Sequence, residues 1–516
     1  MIQGRQVATP RSKLLNLNLF RKRLVCKGVE CKRLKKKILL SVELEPFAKL
    51  NLKRIGSVHG KVSHVTPVTG CRWRGRLPSF RLPRSTQMSL PATTAIVNRK
   101  LQSLDGLRAV AILLVFCVHL QDHILVVNLP TFLIRMYASQ GWMGVDLFFV
   151  LSGFLITGIL LDTREVSNYF SGFYARRVLR IFPLYYLVLT AVIIAGARIN
   201  SPQVSALLPL PEDRWLYFCY LTNWLGLWKA HWGPNYVNYL AHFWSLAVEE
   251  QFYFVWPLVV WLVRPRAIPW IAGGVAALAA MIRLAWVAHS GAQMAIALAT
   301  ISRLDALFIG ALCACLFRDR ERMLKIRKWL PGIAIMGVGS YLLAFSAVLL
   351  FPQRAAVLLF GPAPVVHRLE DVTMLLAECG GYTLLALGFG ALVLLAAHTE
   401  AESTWMQKLL KSRLLAPIGT YSYGIYVFHV PIIGAASIFL YPRIFRSVGA
   451  QGDALLECAY IVVIAAVTFI ISALSYEFFE KKILRFKCYF EPQHAPVSYD
   501  PLPGGRALAQ KASGAR

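Results

Sequence analysis

Arg108 and His119 stand eleven positions apart. In an α-helix, eleven steps of about 100° return to within roughly 20° of the starting face, about 16 Å further along the axis. One helix would then carry a guanidinium at its end and, on the same side, an imidazole deep in an apolar stretch. Such an imidazole can serve as a general base or carry a transferred group as a nucleophile. The bland alternatives are a cation anchoring the helix at a membrane surface and an interhelical hydrogen bond. Asp122 and His123 follow His119 at i+3 and i+4, so either is placed to orient its ring. Arg177 and Arg180, at i and i+3, point one way from a second helix. Paired guanidiniums suit phosphate, although basic residues of this kind also fix membrane topology.

A third group lies at His242, Ser245, Glu249 and Tyr253, whose spacing of 3, 4 and 4 makes one polar stripe on a helix. Glu250 adjoins Glu249, and two carboxylates entering an apolar run call for a reason beyond packing. Asp146 sits near the end of another apolar run, either as a site residue or as the partner of Arg303. Arg303 and Asp305 differ by two positions, so they face different neighbours; their bland role is buried ion pairing with other helices. None of the ten cysteines forms a CxxC pair or has a histidine at zinc-ligand spacing, so neither a disulfide framework nor a metal site is expected.

These side chains are set in an apolar chain. Of the 516 residues, 57% are hydrophobic and 16% charged, against roughly 25% charged in an ordinary soluble protein. That excludes a disordered chain and argues against a soluble enzyme. The net charge of +30 would suit a nucleic-acid partner, but 23 of the 56 Lys and Arg residues and only 3 Asp and Glu lie in residues 1–100. Two thirds of the excess therefore sits outside the apolar body, and no nucleic-acid partner is expected. Residues 1–100 have no apolar stretch of signal-peptide length. They read either as a disordered basic extension on an anionic membrane surface or as the product of a misplaced start; the absence of any pattern favours Met88 as the true start.

From residue 109 onward, apolar runs long enough to cross a bilayer recur near 109–127, 142–161, 178–197, 244–263, 268–288, 295–317, 330–351, 375–397, 416–440 and 457–479. Segment 215–228 is short and aromatic, with Trp215, Tyr217, Tyr220, Trp224 and Trp228, and reads as interfacial or re-entrant. Loop charges support that count. Basic clusters at 164–180, 264–266, 318–328, 408–413 and 481–487 fall on one side only with ten spans; Arg443 and Arg446 break the rule. The expected fold is all-α: a polytopic integral membrane protein with ten transmembrane helices, both termini cytosolic, spanning 101–484, followed by a disordered cytosolic tail over 485–516.

The motifs resemble those of the membrane-bound acyltransferase-3 family. They are Arg108 with His119 after ten intervening residues, GVDLFFVLSGFLIT (144–157), RRVLRIFPLYY (176–186), HFWSLAVEEQFYFVWP (242–257), RLDALFIGALCA (303–314) and YSYGIYVFHVP (421–431). The resemblance covers about 101–484, with the motifs in the family's order. It implies a ten-helix bundle that O-acylates, usually O-acetylates, cell-surface or exported carbohydrates in bacteria, embedded in the inner membrane. Acetyl-CoA or another acyl-CoA would be the cytosolic donor substrate, with no tightly bound cofactor. Some relatives carry a fused extracytoplasmic hydrolase-like domain, which the short stretch after 479 is not expected to supply. On this reading Arg108, Arg177 and Arg180 hold the donor's phosphates, and His119 is general base or acyl carrier. Glu249 or Glu250 orients His119 or binds a carbohydrate or glycolipid acceptor, and Asp146, His242, Ser245, Arg303 and Asp305 support the site. The competing function is a carrier or flippase for a lipid-linked saccharide, for which the inverted repeats and paired broken helices common in transporters are missing. A purely structural scaffold would leave the Arg108/His119 and Glu249/Glu250 placements unexplained.

Overall fold

A computed structural model describes residues 101–492, apart from 125, 127, 200, 207, 226–238, 291–296, 352–372, 374 and 448–453. The basic extension, with Met88, lies outside the described residues, as does the tail from 493 onward. No strand occurs among the described residues, which form an all-α protein. Ten long helices carry the fold: α1 (Gln102–Leu120), α2 (Met143–Asp162), α3 (Tyr169–Arg198), α4 (Phe243–Leu262), α5 (Ile268–Ser290), α6 (Thr300–Arg318), α7 (Leu330–Leu350), α8 (Tyr382–His398), α9 (Leu415–Phe439) and α10 (Ala454–Ser475).

Nine helical stretches among the described residues are long and apolar enough to cross a membrane. The tenth expected span, α4, is a 20-residue helix of spanning length, but Glu249, Glu250 and Gln251 lower its hydropathy. Outward faces are largely apolar. Phe254 and Leu262 of α4, Trp270 of α5, Leu343 of α7 and Val462 of α10 are all more than half exposed. In water that surface would be an aggregation liability; lipid tails solvate it.

The enclosed centre is built on α2, α6 and α8. A Cβ on Gly153 would collide with the carbonyl of Leu307, and one on Gly310 with that of Val150. The α2 and α6 backbones therefore touch, the close approach that small residues allow between membrane helices. Helix α9 packs along α1 in the same way, with Gly419 against the carbonyl of Asp105. Three helices contain an internal proline: Pro183 in α3, Pro257 in α4 and Pro431 in α9.

Three local features refine the expected span map. First, α2 is preceded by a separate helix, Leu129–Ser139, started by a capping box in which Asn128 accepts from the Thr131 amide at 3.0 Å. Second, segment 214–225 folds as short helical pieces that reach halfway down the bundle. Tyr185 and Tyr186 of α3 donate to the carbonyls of Tyr217 and Phe218 at 2.7 and 2.9 Å, and Gln251 of α4 donates to the Tyr220 carbonyl at 2.8 Å. The irregular backbone of the segment is thus satisfied by protein, as its expected interfacial or re-entrant place requires. Third, helix continues past 484, the end expected for the membrane domain, through a 3-10 stretch at Arg485–Phe490. That stretch packs on the start of α3, where Asn168 donates to the Glu491 carbonyl at 2.8 Å.

Candidate active site

A cavity of about 140 Å³ opens among α1, α2, α3, α4 and α9. Arg108, Arg177, Arg180, Ser152, Ser245, Glu249, Tyr253, Tyr423 and Tyr426 line it, together with apolar residues of α2, α3 and α4. Five of the motifs separated in sequence therefore face one space. The three guanidiniums gather at the end of the bundle that carries the basic loops. Arg108 is held by Asp105 at 2.5 Å, one helical turn away. Arg177 lies over the rings of Phe173 and Tyr253, 5.8 and 5.7 Å from their centroids, and Arg180 lies 6.0 Å from that of Tyr423. Stacking on aromatic faces steadies the planar groups.

Glu249 is fixed across the cavity wall. It accepts from Ser152 at 2.7 Å and from Tyr253 at 3.1 Å, and Tyr253 also donates to Ser152. Ser152, of the 144–157 motif, thus belongs to the polar wall, while its neighbour Gly153 makes the packing contact with α6. The stripe on α4 holds as far as Ser245, Glu249 and Tyr253. Ser245 hydrogen-bonds the Tyr426 hydroxyl, which also donates to the His242 carbonyl at 2.8 Å. Glu250 lies outside the cavity lining, and its Oε1 has no hydrogen-bond partner among the described residues.

Beyond Tyr426, away from the basic end, three histidines meet. The ring of His429 stands edge-on to His119 at 4.7 Å and to His242 at 4.9 Å, centroid to centroid. Nδ1 of His119 faces the Val115 carbonyl at 2.8 Å, and Nδ1 of His429 faces the Tyr426 carbonyl at 2.6 Å. Each anchored Nδ1 carries the ring hydrogen toward its carbonyl and leaves Nε2 as the basic atom. Among the described residues, Nε2 of His429 is buried without a hydrogen-bond partner, and beside it the buried ring of His242 lies within reach of the Tyr426 and Val427 backbone. Buried polar atoms rarely stay unpaired, so this is where a reacting group or water would find acceptors. His429 received no role from the sequence, although the reasoning that singled out His119, an imidazole within an apolar span, applies equally to it.

Two expectations for His119 are corrected. Helix α1 ends at Leu120 and the chain tightens into a 3-10 turn over Gln121–His123, so the i+3 and i+4 phase is lost. Asp122 instead pairs with Arg135 at 3.0 Å, and His123 meets Ser437 at 3.1 Å. Among the described residues neither Glu249 nor Glu250 hydrogen-bonds His119, whose Nδ1 meets the Val115 carbonyl while Glu249 is engaged on the cavity wall.

The remaining candidates form a separate buried network. Arg303, 2% exposed, pairs with Asp146, which is fully buried, and its guanidinium lies 3.8 Å from the centroid of Tyr382. Asp305 pairs with Arg283 at 2.8 Å and accepts from Thr383 at 2.6 Å. Arg303 and Asp305 thus turn to different helices, as their two-residue offset requires. None of the four charged residues lines the cavity. Among the described residues, no cluster of histidine, cysteine and carboxylate side chains has metal-binding geometry.

Long helices with apolar outer faces around a centre that carries guanidiniums and imidazoles, among the described residues, define a multi-pass membrane protein. Over residues 101–477 the chain matches the profile of a family described as an acyltransferase domain, and it belongs to that family, membrane-bound acyltransferase-3. It is 29% identical over 418 residues to the peptidoglycan O-acetyltransferase OatA of Listeria monocytogenes, covering 77% of this chain and 58% of that protein. It is 27% identical over 399 residues to YrhL of Bacillus subtilis, whose name proposes a peptidoglycan O-acetyltransferase, covering 75% and 55%. A Staphylococcus aureus protein whose name proposes an O-acetyltransferase is 27% identical over 350 residues, covering 65% and 51%. The chain thus spans between about half and three fifths of the length of these relatives. No solved structure matches it.

Proposed function

We propose that the protein transfers an acyl group, in the first instance acetyl, from cytosolic acyl-CoA to a hydroxyl of a cell-wall or exported carbohydrate. The observation that carries this reading is the cavity itself. Three guanidiniums converge at the basic end, while the imidazoles of His119, His242 and His429 gather beyond Tyr426. The positive-inside rule supports a cytosolic basic end; on this reading the bundle has ten spans, both termini are cytosolic and the protein resides in the bacterial inner membrane. Arg108, Arg177 and Arg180 would hold the donor's phosphates, and the donor's arm would run along the bundle past Ser245 and Tyr426. Nε2 of His119, freed by the Val115 contact, would take the hydroxyl proton as the acceptor oxygen attacks the thioester carbonyl. Collapse of the tetrahedral intermediate would form the ester and expel the CoA thiolate, which takes up a proton. His429 and His242 would supply further basic nitrogens around the reacting groups, and Glu249 would position the acceptor or the donor arm. The names of the relatives support a carbohydrate acceptor of the cell wall.

The test is acetyl transfer from labelled acetyl-CoA by the purified full-length protein in vesicles. His119→Ala is expected to lower transfer by about 10²–10⁴-fold at unchanged membrane insertion. Near-wild-type transfer by that variant would remove His119 from the reaction. Translocation of a lipid-linked saccharide without acetyl transfer would replace the whole reading with a carrier.

A further inference from the structure

At the end of the bundle opposite the basic loops, α1, α9 and α10 bring together a group of aromatic rings. Past α9 the chain turns into a short helix, Tyr441–Ser447. Tyr441 stacks on Phe445 with 4.2 Å between centroids, and the rings of His123 and Tyr460 lie 5.1 and 5.4 Å from that of Tyr441. His123 is held by Ser437 of α9 at 3.1 Å. His123, Tyr441 and Phe445 are partly exposed, and Tyr460 is buried. Glu457, in the first turn of α10, is 6% exposed. Its Oε1 accepts from the Tyr441 hydroxyl at 3.0 Å; its Oε2 is buried without a hydrogen-bond partner among the described residues.

Anchoring at the membrane surface does not account for this group. Anchoring rings reach toward the headgroups, whereas these four pack on one another and against the end of α1. A carboxylate at a helix end can turn to water, yet Glu457 turns inward while Leu455, two positions away, is 79% exposed. A buried carboxylate oxygen without a donor is costly, and an ionisable side chain held inside a membrane bundle points to a substrate path. None of these residues lines the cavity at the arginines, so the group is a separate place in the bundle. Its chemistry suits a sugar. The C–H bonds on the face of a pyranose are slightly positive and rest against the negative face of an aromatic ring, and sugar hydroxyls donate to a carboxylate. His123 lies one turn beyond His119, past the end of α1, so a saccharide resting on these rings extends toward His119.

We propose that His123, Tyr441, Phe445 and Glu457 form a subsite for a pyranose unit of the carbohydrate acceptor, the rings stacking on the sugar and Oε2 of Glu457 accepting from its hydroxyls. The proposal rests on the carbohydrate-acceptor reading and deepens it by naming residues that hold the acceptor at the end away from the arginines.

The test titrates the full-length protein in nanodiscs, without donor, with soluble peptidoglycan fragments, chitotetraose and maltotetraose, and then measures acetyl transfer to each saccharide that binds. Glu457→Gln is expected to weaken saccharide binding about tenfold. Tyr441→Leu, which keeps bulk and removes the aromatic face, is expected to weaken it about fivefold. Both should raise the acceptor KM and leave the donor KM unchanged. Tyr441→Phe, which keeps the face, is expected to bind better than Tyr441→Leu. Leu455→Ala, on the exposed side of the same turn, is the folding control and is expected to bind as wild type does. If one variant fails to insert, the other decides. Wild-type saccharide affinity in Glu457→Gln and Tyr441→Leu overturns the proposal, and with a lowered melting temperature it makes the group a membrane-surface anchor. A wild-type protein that binds none of the three saccharides also overturns it. Binding that depends on Glu457 and Tyr441 without acetyl transfer keeps the subsite and removes the acyl-transfer reading. Acetyl transfer with an unchanged acceptor KM in both variants removes the subsite and leaves that reading standing.

Discussion

Changing Arg177 and Arg180 together to lysine preserves both positive charges and removes both planar forks. If the arginines only fix topology, that exchange is silent. If they grip phosphate, each lysine replaces a two-point contact by a single point charge. Both guanidiniums are steadied on aromatic faces, Arg177 between Phe173 and Tyr253 and Arg180 on Tyr423, so their donors are oriented before the ligand arrives. Losing one hydrogen bond per side chain costs about 0.5–1.5 kcal/mol, or about 1–3 kcal/mol for the pair. At about 1.4 kcal/mol per tenfold, the donor KM should rise about 5- to 150-fold. Because the phosphates stand far from the bond being broken, the loss is uniform in ground and transition states, and kcat should change much less. Initial rates against acyl-CoA concentration, in inside-out vesicles with insertion checked by immunoblot, measure both constants. Unchanged KM with normal insertion refutes the phosphate assignment and returns both arginines to the role of topology anchors.

Asp146→Asn should destabilise the bundle by about 3–5 kcal/mol, because it strands the Arg303 charge in a site where both partners are at most 2% exposed. Replacing both partners with apolar residues of similar volume should recover most of that loss in thermal unfolding; a double variant as unstable as the single one would show that the pair does not act as a unit. Glu400, in the loop after α8, accepts from the backbone amides of Gln102 and Ser103 at 3.1 and 3.2 Å, from the Ser103 hydroxyl and from Lys411 at 3.0 Å. Burial pushes its carboxyl up, but the bonds from Ser103 and Lys411 outweigh this and hold it below the usual carboxylate range. The folded state therefore favours the ionised form. Its contribution is full above the unfolded carboxylate value of roughly 4.3 and fades as pH falls through the lower folded value. Glu400→Gln should lower the melting temperature at pH 7, with a gap to wild type that narrows below about pH 4; a constant gap would refute the linkage.

Much of the architecture was legible because helical periodicity and loop charge are local signals. The positions of nine apolar spans and the shared direction of Arg177 and Arg180 followed from one-dimensional spacing. The offset between Arg303 and Asp305 likewise foretold separate partners. Contacts made between helices were hidden. Nothing local pairs Ser152 with Glu249, which are 97 positions apart. His429 was visible as an intramembrane imidazole, yet its contact with His119 depends on α9 packing along α1. Asp122 and His123 misled because the helix was extended one turn too far. The helical stretch Arg485–Phe490 escaped notice because its signal is docking on α3, not its own composition.

The internal prolines bear on how the bundle can move. A proline inside a helix leaves the carbonyl four residues earlier without its amide partner. The carbonyls so released belong to Leu179, between the cavity arginines, Tyr253, on the cavity wall, and Val427, between Tyr426 and His429. Each of the helices α3, α4 and α9 is thus weakest in bending beside a group that faces the cavity or the histidines. The α2–α6 seam, where backbone touches backbone at Gly153 and Gly310, has no such weak point and no room to slide. Compliance is confined to one wall of the cavity and stiffness to the wall behind it. Any widening of the cavity is therefore expected to come from the α3, α4 and α9 wall, with the α2–α6 seam held fixed.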